Sequence, residues 1–162
     1  MRNLFIFLVI ISFFGASCIK RKEFPNEPII KYLDFIQTKD TAYLRFSFTD
    51  GNGDLGLDQA DTLSPFEIKG SNYYNVYIKY FERVNGAFKE ISLSAPYNYR
   101  FKRISSPGRS KALEGEMKIK IPAPYYSPLL EPGDTVKYEF YIKDRTLNSS
   151  NTESTGPVII QY

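Results

Sequence analysis

Apolar and polar residues alternate with a period of two along several short stretches of the chain, the signature of strands with one face buried and one face wet. Leu44, Phe46 and Phe48 alternate with Tyr43, Arg45 and Ser47, and Val76, Ile78 and Tyr80 alternate with Tyr77 and Lys79. The clearest case is LEGEMKIKI, where Leu113, Gly115, Met117, Ile119 and Ile121 face one way and Glu114, Glu116, Lys118 and Lys120 the other. VKYEFYIK repeats it with Val136, Tyr138, Phe140 and Ile142 inward, and VIIQY reads as a closing strand. Asn85-Gly86 predicts a two-residue hairpin, because a type I′ turn needs positive φ at both central positions. SSPGRS and EPGD are further turn signals. No stretch from Ile29 to Tyr162 sustains helical periodicity. The pattern predicts an all-β domain over residues 28–162, an antiparallel two-sheet sandwich of about seven or eight strands, with a barrel as the alternative. No internal repeat or second domain is visible.

The amino terminus follows a different pattern. MRNLFIFLVIISFFGASC places Arg2 before an apolar run from Leu4 to Phe14, then Gly15, Ala16 and Ser17, then Cys18. The run is too short to cross about 30 Å of hydrocarbon, and small residues before a cleavage point suit a signal peptidase, so residues 1–17 read as a secretory signal. Cys18 is the single cysteine of the chain. Its setting resembles the lipobox of bacterial lipoproteins, in which the thiol is diacylated and begins the mature chain, although Gly15 stands where that pattern usually has Leu. The alternative is a secreted protein with a stray thiol. Residues 18–27 then form a lipidated tether, basic and proline-containing, which we expect to be flexible. Ile19, rather than Asp, follows the cysteine. By resemblance to lipoprotein sorting this implies an outer-membrane lipoprotein, periplasmic or surface-exposed, and the run of Lys20 to Glu23 resembles surface-export signals of Bacteroidota.

Further along, Leu130-x-Pro132-Gly133, Thr135 and Tyr138-x-Phe140-x-Ile142 resemble the approach to the sixth strand of fibronectin type III domains. That resemblance implies that Tyr138 is a tyrosine corner, its hydroxyl bonding back to the preceding loop. Asp144, Asn148 and Ser150 match the Asp-x-x-x-Asn-x-Ser segment before the last strand of many bacterial immunoglobulin-like domains. Together with TDGNGDLG, the chain resembles small Bacteroidota lipoproteins carrying one immunoglobulin-like sandwich. The resemblance implies fold and location, and implies no activity.

Composition narrows the chemistry. Without residues 1–17, which hold one Arg, the chain carries 20 Lys+Arg against 18 Asp+Glu, a near-neutral balance that gives no reason to expect nucleic acid. The absence of histidine removes the Ser-His-Asp triad, the Cys-His pair and every His-based zinc site. Glu114 and Glu116 share a strand face that alternates with lysines and reads as solvated surface, so we expect no enzyme and no required cofactor.

Two groups of residues remain. Asp50, Asn52 and Asp54 follow the D-x-N-x-D spacing that aims three oxygens at Ca²⁺, and Asp58 and Asp61 lie nearby. Leu55 and Asp61 stand where an EF-hand needs Gly and Glu, which excludes that loop but not a strand-flanked calcium site. In a sandwich Asp144 and Asn148 can reach the same end. The other reading is that Gly51, Gly53 and Gly56 supply positive φ while the carboxylates cap turns. Both stand at this point, and any bound Ca²⁺ would be structural. The second group is aromatic: Tyr73 and Tyr74, Tyr97 and Tyr99, Tyr125 and Tyr126 lie outside the clean strand cores. Exposed, they could stack on a glycan or anchor an envelope protein. Alternatively they are sheet-edge tyrosines with wet hydroxyls.

Overall fold

The computed structural model describes residues 23–105, 111–122 and 125–162. The signal segment, Cys18, Lys20 to Lys22 and all but the first residue of the SSPGRS turn lie outside them. The chain forms β1 (Ile29–Gln37), β2 (Thr41–Asp50), β3 (Val76–Val84), β4 (Ala87–Glu90), β5 (Leu113–Pro122), β6 (Thr135–Ile142), β7 (Glu153–Ser154) and β8 (Val158–Ile159). One sheet has the order β1-β2-β5. The other has the order β4-β3-β6-β7, with β8 also on β6. Every pairing is antiparallel. Taking β1, β2 and β5 as the first, second and fifth strands of an immunoglobulin-like sandwich, and β3, β6 and β7 as its third, sixth and seventh, sequential neighbours divide between sheets as that fold requires.

The period-two stretches bury the predicted faces. Leu44, Phe46, Val136, Tyr138, Phe140, Ile142, Ile119 and Ile121 are all at most 2 % exposed and meet in one core. Asn85 and Gly86, at φ 52° and 84°, join β3 to β4 in the predicted hairpin. β1 carries no clean alternation, and the reason is a register shift between Tyr32 and Asp34 that interrupts its two-residue period. The closing edge is likewise split, because Thr155 to Pro157 separate β7 from β8 while Thr155 N–H still donates to the Tyr138 carbonyl. The Tyr138 hydroxyl donates to the backbone carbonyl of Tyr125 in the β5–β6 connection. That is the back-bond expected of a tyrosine corner, made further upstream than the Leu130 to Thr135 approach.

The two long sides of the sandwich differ. Along β1, side chains lace the sheets together: Asn151 bonds both the N–H and the carbonyl of Ile30 at 2.9 Å, Glu153 accepts from Tyr32 N–H, and Gln37 donates to the Ile159 carbonyl. On the other side β4 ends at Glu90, and after Ile91 N–H bonds the Tyr80 carbonyl the chain leaves the β3 edge, returning where Asn98 Oδ1 accepts from Ile78 N–H and Tyr99 bridges Val76. Buried Asn75 fixes that return, its amide donating to the Phe101 carbonyl and its oxygen accepting from Phe101 N–H. Among the described residues, the excursion leaves an open concavity along part of this edge.

Candidate functional site

The register places the two groups singled out by the sequence in different parts of the molecule. Asp50 ends β2 opposite Leu113, and Asp144 follows Ile142, which pairs with Val76. The connections after β2 and β6 therefore leave the same end of the sandwich. They touch: Arg145 N–H donates to the Asp54 carbonyl, and Thr146 Oγ1 donates to Asp54 Oδ2 at 3.2 Å. The predicted convergence of Asp50, Asp54 and Asp144 is present, but its members divide into satisfied and unsatisfied groups.

Asp144, 2 % exposed, is fully engaged. Its Oδ1 accepts from Asn148 N–H at 2.8 Å, and its Oδ2 accepts from the Asn148 amide at 2.8 Å, the single Thr146 hydroxyl proton going to Asp54. Asp144 and Asn148 thus take the turn-capping role. Asp58 is also drawn away, toward Arg145 at 3.4 Å and Arg103 at 3.6 Å. Arg145 holds Asp61 with both guanidinium nitrogens, and this bonding keeps the Asp61 carboxyl below the usual carboxylate range. Asp58 and Asp144, among the residues expected to ligate a cation, thus have oxygens engaged by arginine and by Asn148.

Asp50, Asn52 and Asp54 behave otherwise. Asp50 is 0 % exposed; its Oδ2 accepts from Asp54 N–H at 3.0 Å, while its Oδ1 has no donor. Asn52 Oδ1 and Asp54 Oδ1 are also buried without a partner. Burial first, then the neighbouring Asp54 and Asp144 charges, push the Asp50 carboxyl up to about 6. Burial and Asp144 raise Asp54 as well. The glycines do not all play the expected part. Gly53 has φ 71°, whereas Gly51 lacks a positive φ and is needed for close approach, since a Cβ there would lie 2.1 Å from the Phe24 carbonyl oxygen. Gly51 N–H donates to the Pro25 carbonyl at 2.7 Å, so the last part of the expected tether is docked on this loop. Among the described residues no three His, Cys, Asp or Glu side chains form a metal-holding group by themselves.

The tyrosines separate too. Tyr125 is 2 % exposed and belongs to the core, which removes it from any ligand surface. Burial of its ring accompanies the capture of its carbonyl by Tyr138. Tyr73 meets Tyr74 edge-on, and the Arg100 guanidinium covers it 4.8 Å from the ring centre. Arg100 also bonds the carbonyls of Asp58, Asp61 and Tyr73, so this pair secures the long β2–β3 connection. Tyr97, Tyr99 and Tyr126 converge instead on the uncovered edge. There a cavity of about 820 Å³ is walled by them with Ile91, Leu93 and Pro122. Its wall also includes Glu82 and Pro128, of which Glu82 pairs with Val136, at the end of β6 away from Asp144. Tyr97 packs edge-on against Tyr80, and burial pushes its hydroxyl up to about 12. Asn75, Arg100 and Arg145 were not singled out by sequence; a buried Asn beside paired tyrosines, and arginines facing an acidic loop, were the available signals.

No family model, curated protein or solved structure matches the chain. The functional reading rests on these two places.

Proposed function

We propose that the chain is a lipid-anchored, non-catalytic interaction module of the cell envelope, carried on the outer membrane by Cys18, and that it holds an apolar segment of an envelope protein in the cavity beside β3. The observation carrying this reading is the 820 Å³ cavity walled by Ile91, Leu93, Tyr97, Tyr99, Pro122 and Tyr126. Concave, mostly apolar sites with a few polar groups are what aliphatic and aromatic anchors of a partner fill. Glu82 and Lys120 at the wall supply polar contacts that orient such a segment. A protein segment is favoured over a sugar by the aliphatic and prolyl share of the wall, Ile91, Leu93, Pro96, Pro122 and Pro128. With Cys18 acylated, the five residues to Glu23 span at most roughly 18 Å. The end bearing Gly51, on which Pro25 docks, then faces the bilayer, and the cavity edge is free to meet a partner.

Photocrosslinking in cells tests this. A benzoylphenylalanine at exposed Ala95, on the cavity wall, is expected to give a discrete adduct with an envelope protein, while the same group at exposed Lys39 gives none. No adduct at Ala95, or equal labelling at both positions, overturns the reading, and saturable binding on a glycan array lost with Tyr99→Ala would replace it with glycan capture. Cys18→Ser is expected to release the protein from the membrane fraction; continued lipid labelling of that variant overturns the anchor.

A further inference from the structure

We propose that Asp50, Asn52 and Asp54 form a binding site for a hard divalent cation, Ca²⁺ in chemical class, that fastens the amino-terminal segment to the sandwich. Among the described residues, three buried oxygens of one short loop, Asp50 Oδ1, Asn52 Oδ1 and Asp54 Oδ1, have no donor in hydrogen-bond geometry, although the Gly53 amide and the Asn52 side chain lie near enough to Asp50 and Asp54 to ease their charge. Buried polar atoms without partners are rare, because each carries its desolvation cost uncompensated. Here three occur within five residues, at the D-x-N-x-D spacing, and one belongs to a residue that is 0 % exposed.

The neighbouring charges explain why no protein group fills the gap. The Arg145 guanidinium is committed to Asp61 and Asp58, and its hydrogen bond to this loop is made by the backbone N–H on the Asp54 carbonyl. Thr146 occupies the other oxygen of Asp54, and Asp144 has its own donors and contributes only negative charge. Two carboxylates and a carboxamide, with neither nitrogen nor sulfur among them, select a hard cation over zinc or copper. The six to eight oxygens that Ca²⁺ takes leave positions for water.

The loop is also the seat of the chain's amino-terminal segment. Gly51, between Asp50 and Asn52, bonds the Pro25 carbonyl, and its Cα lies against the Phe24 carbonyl so closely that a Cβ would not fit. Gly53 lies against the Lys111 carbonyl in the same way. A cation that fixes residues 50–54 therefore fixes the docking of Phe24 and Pro25 as well.

The full chain, extracted in detergent, is unfolded thermally in EDTA and in about 5 mM CaCl₂, a concentration above the 10⁻⁴–10⁻³ M range of extracellular Ca²⁺ modules. The midpoint is expected to rise by about 5 °C with CaCl₂. Exchange of the Gly51 and Asp54 amides is expected to slow with it. Asp50→Asn keeps an oxygen acceptor for Asp54 N–H and is expected to fold and lose the calcium shift, whereas Asp58→Asn is expected to keep it. Equal midpoints in EDTA and CaCl₂ overturn the proposal, because the three oxygens are then met by water alone. A shift that survives the Asp50→Asn, Asp54→Asn double variant overturns its location.

Discussion

The loop after β2 and the cavity beside β3 are both conspicuous in sequence, one by carboxylates and the other by tyrosines, yet they are left incomplete in opposite senses. The loop is tightly packed against backbone, and what it lacks is partners for charge: Asp50 Oδ1, Asn52 Oδ1 and Asp54 Oδ1 are buried and unmet. The cavity is walled instead by apolar and aromatic side chains, open to solvent among the described residues. Tyr97 rests on Tyr80 and Tyr138, and Tyr126 donates its hydroxyl to the Tyr162 carbonyl. The ion proposed for the buried charge and the chain segment proposed for the apolar surface follow this difference.

The tightness of the loop predicts the largest effect. At Gly53, φ is 71° and a Cβ would stand 1.9 Å from the Lys111 carbonyl oxygen, so neither backbone can yield without moving β5. Gly53→Ala is expected to cost about 3 kcal/mol or more, within the range of strain and overpacking at special backbone positions. Gly86→Ala, with φ 84° but nothing within 4 Å, is expected to cost only about 1 kcal/mol. Urea unfolding of both variants checks the difference; equal losses would mean that the loop is not held against Lys111.

Alkali acts on the other region. Burial pushes the hydroxyls of Tyr77 and Tyr97 up to about 12 and raises those of Tyr80 and Tyr138 further. Because the folded values lie above the unfolded value of 10, the folded state holds these protons more firmly. Their contribution to stability is full below about pH 10 and is lost as pH rises toward 12 and beyond. Absorbance of phenolate and far-ultraviolet dichroism are expected to change together over that interval. Early phenolate formation at Tyr97 without loss of dichroism would show that the cavity wall opens independently of the core.

A smaller loss is expected at the contact that ties the wall to the core. Tyr138→Phe removes the donor to the Tyr125 carbonyl while keeping the ring stacked at 4.8 Å on Phe35. A buried carbonyl left without its partner costs about 1–3 kcal/mol. The midpoint is expected to fall without change in the calcium shift, since among the described residues no hydrogen bond joins Tyr138 or Tyr125 to Asp50, Asn52 or Asp54. A lost calcium shift in this variant would join what the geometry separates.

How much of this was legible before the structure follows from the kind of interaction involved. Inward faces of β2, β3, β5 and β6 follow from a two-residue period imposed by the pleat, and the Asn85-Gly86 turn from local φ preference. β1 was not legible, because its bulge breaks the period. The meeting of Asp50 with Asp144 follows from strand order. The division of oxygens that then sets Asp50 apart from Asp144 depends on where Asn148, Thr146 and Arg145 point, which no spacing encodes. The same holds for the tyrosines: adjacent Tyr125 and Tyr126 have similar surroundings in sequence, yet one is core and the other wall, because only the Tyr125 carbonyl lies under Tyr138.

Arg145 offers the finest test of the contrast, since it stands between the satisfied and unsatisfied carboxylates. Its guanidinium grips Asp61, and its charge also acts on Asp54. Arg145→Gln releases the β2–β3 connection from that grip, so amides near Asp61 are expected to exchange faster. The pair is partly exposed and screened, so the change in global stability is expected to stay below about 1 kcal/mol. Removing a positive charge near Asp54 also removes a competitor for an incoming cation. Ca²⁺ affinity, read by titration against the full chain, is therefore expected to increase by about two- to fivefold, as a single charge a few ångströms beyond direct contact does at high effective dielectric. A decrease instead would mean that the guanidinium grip on Asp61 holds the loop in its binding shape, and that this positioning outweighs the charge.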